Sequence, residues 1–99
     1  MVQPPKGLED LSPKYLAKRR VELPRLLELL EATEFDPIRV AGHNMKGTGS
    51  GYGFPPITVL GAAIESAAKT RDSQTLKIQF DELGLYLESV CMEISNRRP

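Results

Sequence analysis

The chain has few of the residues from which metal centres, disulfide frameworks and membrane spans are built. Its 99 residues include one cysteine, Cys91, one histidine, His43, and no tryptophan. A lone cysteine excludes an intrachain disulfide, and one cysteine with one histidine falls short of the four ligands of a structural zinc site. No apolar run approaches the roughly 20 residues of a membrane span, and no signal peptide is recognisable. We therefore expect a reduced, cytoplasmic protein.

An excess of one charge is also missing, since 13 basic residues balance 13 acidic residues. A net charge of zero provides no general attraction to nucleic acid. The run Lys18-Arg19-Arg20 does not change this interpretation, because most short basic runs are solvated helix faces. The length and the 40% hydrophobic content are typical of one globular domain. We expect a monomer with neither a nucleic-acid partner nor membrane insertion.

Apolar residues recur at helical spacing in four segments, and no two-residue alternation competes with them. Four amphipathic segments joined by short links predict an all-α fold, an antiparallel up-down-up-down four-helix bundle over residues 11–99. Residues 1–10 are expected to form an extended lead-in. The predicted core positions are Leu16, Leu23, Leu27, Leu30, Ile38, Ala41, Met45, Tyr52, Ile57, Leu60, Ile64, Ala67, Leu76, Phe80, Leu83, Leu87, Val90 and Ile94.

Three local signals predict where the helices begin or are disturbed. Ser12-Pro13 and Asp36-Pro37 each combine a capping side chain with a proline suited to the first helical position. Pro24 lies inside the first segment, where it removes a backbone donor, so we expect a kink or a break there. Ser73 is a candidate cap for the last helix.

The most unusual stretch is residues 42–53, with the sequence GHNMKGTGSGYG, which holds five of the eight glycines. Ile38, Ala41, Met45 and Tyr52 form one helical stripe, which predicts that a helix continues through these glycines. On such a helix His43 lies roughly 160° from both Ala41 and Met45, on the face away from the core. Glycine on both sides would leave its ring unshielded.

The outward face around the histidine combines residues with a possible chemical use. Arg39, Lys46, Gly47 and Ser50 share it with His43 on the predicted helix. Histidine titrates near neutrality and offers a nucleophilic nitrogen, a nearby lysine can neutralise an anionic group, and glycine lets a partner approach. The alternative is a solvated histidine without a role, with the glycines marking a loop or close helix packing. Composition and spacing leave both interpretations open.

Other chemistries fit less well. The glycines follow neither the phosphate-loop order nor the dinucleotide fingerprint, and no β-strand precedes them. A nucleophilic serine or cysteine would need His43 as its base, but Ser50 lies two turns away and Cys91 belongs to another helix.

The motif resembles that of the histidine-containing phosphotransfer (HPt) domain family. The matching residues are His43, Met45, Lys46, Gly47 and Gly53, followed by Leu60 and by Ile64-Glu65. The resemblance extends over about residues 11–90, because the order and length of the four predicted helices fit as well.

The resemblance implies a phosphorelay intermediate of two-component signalling. His43 would accept a phosphoryl group from a receiver-domain aspartate and pass it to another receiver, with Lys46 stabilising the phosphoryl charge. The partners would be receiver domains of response regulators and hybrid histidine kinases. Such a carrier is not a self-sufficient enzyme; it has no kinase or nucleotide site and no cofactor, and magnesium is expected in the partner receiver only. The residues expected to contact the partner are Arg39, Asn44, Gly47 and Ser50.

A second hypothesis assumes the same four-helix bundle without phosphoryl transfer. The protein would then be a non-phosphorylated helical binding module that docks on receiver domains or other signalling partners. A catalytically inert relative would be expected to lack the histidine, so the presence of His43 favours the carrier.

Overall fold

The computed structural model describes residues 12–96, which form an all-α four-helix bundle, as predicted. The extended lead-in expected over residues 1–10 lies outside the described residues. A short 3₁₀ helix, Ser50–Tyr52, separates the second and third α-helices. The four α-helices are α1 (Ser12–Glu31), α2 (Phe35–Thr48), α3 (Pro55–Lys69) and α4 (Ser73–Asn96).

Successive helices run in opposite directions. The hydroxyl of Tyr15, near the start of α1, lies 2.8 Å from that of Thr48, the last residue of α2. Gly42 in α2 packs against the backbone of Glu65, near the end of α3. Residues 70–72 then link α3 to α4, and a link this short joins antiparallel neighbours.

The core prediction is confirmed for α3, for α2 as far as Met45 and for α4 as far as Val90, and it needs correction in α1. In α1, Leu26 and Leu29 are buried together with Leu16, whereas the predicted Leu23, Leu27 and Leu30 are only partly buried. The buried face of α1 also includes Ser12 and Arg19, polar positions that a hydrophobic pattern does not register. Tyr52 and Ile94 are also only partly buried. The confirmed buried residues of the other helices are Ile38, Ala41, Met45, Ile57, Leu60, Ile64, Ala67, Leu76, Phe80, Leu83, Leu87 and Val90.

The first helix is not broken at Pro24, contrary to one of the two outcomes that we expected. A single helix runs through it from Ser12 to Glu31. The proline is exposed, while Leu16 before it and Leu26 after it are both buried in the core. The packing of both halves on one core therefore keeps the helix continuous despite the missing donor.

The prediction that α2 continues through the glycines to Tyr52 is wrong. The α-helix ends at Thr48, and Gly53 has a φ of 94°, which glycine adopts without strain. At Gly49 the chain passes so close to α3 that a Cβ would lie 2.6 Å from the backbone nitrogen of Thr58. These two glycines therefore serve to end α2 and turn the chain into α3.

Asp72 caps α4, where the sequence suggested Ser73. Its carboxylate accepts hydrogen bonds from the backbone nitrogen of Thr75 at 3.0 Å and from the Thr75 hydroxyl at 2.6 Å. The side-chain bond, and then the backbone bond, lower the pKa of Asp72. An ionised cap at this end also matches the positive pole of the helix dipole.

The backbones of α2 and α3 are in direct contact. A Cβ on Gly42 would lie 2.6 Å from the nitrogen of Glu65 and 2.9 Å from the carbonyl oxygen of Gly61. A Cβ on Gly61 would in turn collide with the backbone nitrogen of Lys46. Gly42 therefore does not unshield His43, as its sequence position suggested; it is buried and permits close helix packing.

This contact predicts opposite effects for two glycines of one helix. Gly42→Ala should lower the free energy of unfolding by about 1–3 kcal/mol, because the added methyl overpacks rigid backbone. Gly47→Ala meets nothing within 4 Å and should raise it by about 0.5–1 kcal/mol through helix propensity. Urea unfolding of both variants tests this, and equal effects would contradict the contact.

Candidate functional site

The site centres on a hydrogen bond between His43 of α2 and Glu65 of α3. Nδ1 of the ring lies 2.9 Å from Oε2 of the carboxylate. The two side chains differ in environment, since that of His43 is 64% exposed and that of Glu65 only 9%. The nearly buried carboxylate of Glu65 therefore orients the exposed ring of His43 through its Nδ1.

Two lysines complete the surroundings of the carboxylate. Nζ of Lys46, one turn after His43, lies 2.8 Å from Oε1 of Glu65. Nζ of Lys69 lies 4.0 Å from Oε2, at the outer limit of an ion pair. The two carboxylate oxygens therefore have different partners: Oε1 binds Lys46, and Oε2 faces the ring and Lys69.

These contacts keep the carboxyl group of Glu65 ionised. The hydrogen bond from Lys46 is the largest influence and lowers the pKa of Glu65 below its ordinary value of 4.5. The bond to His43 and the charges of both lysines act in the same direction, whereas burial opposes them. At neutral pH the group is a carboxylate, which can only accept hydrogen bonds.

The charge state of Glu65 decides which nitrogen of His43 carries the proton. Because the carboxylate can only accept, Nδ1 must be the donor of the bond between them. In the neutral ring the lone pair is then on Nε2, the nitrogen farther from the backbone. The arrangement presents a nucleophilic nitrogen of fixed tautomer on an exposed ring.

The structure places four of the six predicted site residues on the outer face of α2. His43, Asn44, Lys46 and Gly47 are exposed, and the space beside Gly47 is open. The exposure of His43 and the open space beside Gly47 agree with the prediction that both residues lie on the face away from the core. Their roles remain predictions.

The other two predicted residues have different surroundings. Nε of Arg39 lies 3.9 Å from Oδ1 of Asp36, so this guanidinium pairs one turn back. Ser50 is not on the helical face, which is a correction, because α2 ends two residues before it. Its backbone nitrogen donates to the Thr58 hydroxyl at 2.8 Å, which fixes it beside α3.

The sequence prediction did not assign a role to Glu65. One signal was present, because Glu65 is the only acidic residue in α3 and follows Ile64 on the buried side. A lone acid beside a core position requires a partner for its charge. Its partners lie on another helix, so their identity depends on how α2 and α3 pack.

Comparison with known proteins identifies no relative. No family model, curated protein or solved structure matches the chain. The relationship to the HPt family therefore stays a prediction.

Two kinds of feature are absent from residues 12–96. No group of three or more histidine, cysteine, aspartate or glutamate side chains there could hold a metal ion. Within the same range, no helix has both the length and the apolar character needed to cross a membrane.

The hydrogen bond predicts a measurable tautomer. In nitrogen NMR spectra at a pH where the ring is neutral, His43 should show a protonated Nδ1 and a bare Nε2. Glu65→Ala should shift the ring toward the Nε2-protonated form that free imidazole side chains prefer. Glu82→Ala, an exposed acid of α4, is the control and should leave the spectrum unchanged. An Nε2-protonated ring in the unsubstituted protein would contradict the assignment.

The lowered pKa of Glu65 also predicts how stability depends on pH. A carboxyl whose folded pKa lies below its unfolded value stabilises the fold above the unfolded pKa, and this contribution is lost as pH falls through the folded value. The advantage of the unsubstituted protein over Glu65→Gln in unfolding free energy should therefore shrink below pH 4.5. Urea unfolding of both proteins between pH 3 and pH 7 measures this difference in unfolding free energy. A difference that stays constant over this range would refute the prediction.

Proposed function

We propose that the protein is a phosphorelay intermediate, which accepts a phosphoryl group on His43 from a receiver-domain aspartate and passes it to a second receiver. The observation that carries the proposal is the exposed imidazole whose Nδ1 bonds a buried carboxylate at 2.9 Å. This bond fixes the tautomer in which Nε2 of an exposed ring carries the lone pair. The resemblance of the surrounding motif to the HPt family supports the same conclusion.

The transfer is an in-line displacement at phosphorus. The lone pair of Nε2 attacks the aspartyl phosphate, an N–P bond forms, and the P–O bond to the acyl oxygen breaks to release the aspartate carboxylate. The proton on Nδ1 stays in its hydrogen bond, and Glu65 stabilises the positive charge that develops on the ring. Transfer to the second receiver reverses these steps.

The neighbours of His43 supply charge and access. Lys46 is 44% exposed while bound to Glu65, so part of its side chain stays accessible to an incoming phosphoryl group. Such a cation favours the negative charge of the transferred group. Gly47 leaves space beside the ring, which lets a folded partner bring its aspartyl phosphate into contact. The partner supplies the magnesium.

Labelling by a phosphorylated receiver tests the proposal. Incubation with radiolabelled phospho-receivers from the same organism should place acid-labile, base-stable label on this chain. His43→Gln should abolish the label. Lys46→Ala should slow transfer roughly 10- to 100-fold, as expected for loss of one stabilising cation, without unfolding the protein. Lys77→Ala, an exposed lysine of α4, is the matched control.

Two outcomes would contradict the carrier hypothesis. Label that persists in His43→Gln would place the acceptor elsewhere. A complete absence of label with every receiver, although a small-molecule donor phosphorylates His43, would favour the non-phosphorylated binding module instead.

A further inference from the structure

A basic cleft lies between α1 and α2, beside the face that carries His43. Its volume is about 380 Å³, and three cationic side chains of α1 line it: Lys14, Lys18 and Arg19. Asn44 and Thr48 of α2 form the opposite wall. None of the lining residues in the described part of the chain is acidic.

Arg19 is a buried cation in this cleft. Only 5% of the residue is exposed, and its Nε has no hydrogen-bond partner among the described residues. The guanidinium lies 5.2 Å from the ring centre of Tyr15, and its NH1 lies 3.4 Å from Oε1 of Glu22. The same Oε1 makes no hydrogen bond among the described residues, so the pairing of Arg19 with Glu22 is loose. A buried cation with incomplete pairing favours an anion from outside.

The cleft is held in shape by aromatic packing and hydrogen bonds. Tyr15 and Tyr52 stack with ring centres 4.4 Å apart. The Tyr15 hydroxyl bonds that of Thr48, and Ser12 donates to the carbonyl oxygen of Tyr52 at 3.0 Å. These contacts tie the start of α1 to the end of α2. The walls of the cleft and the position of Arg19 are therefore fixed before a ligand binds, whereas Lys14 and Lys18 are exposed.

The position of the cleft relates it to the histidine. Asn44, in its wall, follows His43 in α2 and points about 100° away from it around the helix. The ring and the cleft are therefore less than one helical turn apart, and a protein interface of about 800 Å² per partner can cover both. The opposite side of the molecule differs in charge: among the charged residues of α4, only Lys77 is basic. The acidic ones are Asp81, Glu82, Glu88 and Glu93. An acidic partner would thus be attracted to the side with His43 and repelled by α4.

We propose that the cleft between α1 and α2 binds an acidic segment of the receiver protein that exchanges the phosphoryl group with His43. The inference rests on the proposed function and names the chemistry of its partner. Carboxylates of the partner pair with Lys14 and Lys18 and approach the buried charge of Arg19. This pairing speeds association and orients the aspartyl phosphate toward the ring.

Charge reversal tests the cleft. Lys14→Glu/Lys18→Glu should lower kcat/KM for transfer from a phospho-receiver by about tenfold at low salt, through slower association. The difference should shrink in about 0.5 M salt because screening removes the attraction. Arg25→Glu/Lys77→Glu is the matched control, since it changes net charge equally at exposed sites away from the cleft; its rate should stay within about twofold. Circular dichroism verifies that both variants fold.

Phosphoramidate separates the two proposals, because it phosphorylates histidine without a protein partner. It should label the cleft variant as fast as the unsubstituted protein. The cleft inference is overturned, and the carrier role stands, if receivers label the cleft variant and the unsubstituted protein equally fast. The same holds if the control variant loses as much activity as the cleft variant. If phosphoramidate labels the unsubstituted protein but no receiver does, both proposals fail. Saturable shifts of the Asn44 and Thr48 amides with inorganic phosphate would assign the cleft to a free anion and overturn the inference.

Discussion

The candidate site depends on the backbone contact between α2 and α3. Gly42 and Gly61 have no Cβ, so the two helices approach until main-chain atoms touch. At this separation Glu65 reaches His43 at 2.9 Å and Lys46 at 2.8 Å with one carboxylate. A side chain at either glycine would push the helices apart and lengthen both contacts. Packing therefore acts on the chemistry of the ring, although neither glycine touches it.

The buried carboxylate is stable because its charge is shared among several donors. Removal of an acid from water is costly, and an isolated group would take up a proton. Here the ammonium of Lys46 and the Nδ1–H group of His43 bind one oxygen each, and the pKa of Glu65 falls instead of rising. The same interactions orient both partners. The ring therefore has a fixed tautomer and the lysine a fixed place, as the proposed transfer requires.

The sequence was sufficient to predict the features that depend on a single helix. The exposure of His43 follows from its angle to Ala41 and Met45 and needs no knowledge of α3. The contact with Glu65 depends on the distance and register between two helices, which periodicity does not contain. Gly42 shows the same limit, because a glycine beside a histidine has the same sequence pattern whether it unshields the ring or packs against another helix. Ser50 was misplaced because the helix ends at Thr48, where close passage past α3 outweighs continuation of the stripe.

The balance of charge in the whole chain conceals a separation of charge in space. A short basic run such as Lys18-Arg19-Arg20 is typical of a solvated helix face, yet its residues have three environments. Lys18 lines the cleft near His43, Arg19 is buried against Tyr15, and Arg20 lines a groove between α1 and α4. Consecutive helical residues differ by about 100° in direction, so a basic run on a packed helix cannot form one patch. A composition with no net charge is thus compatible with a local basic patch, and the proposed acidic partner would respond to that patch and not to the net charge.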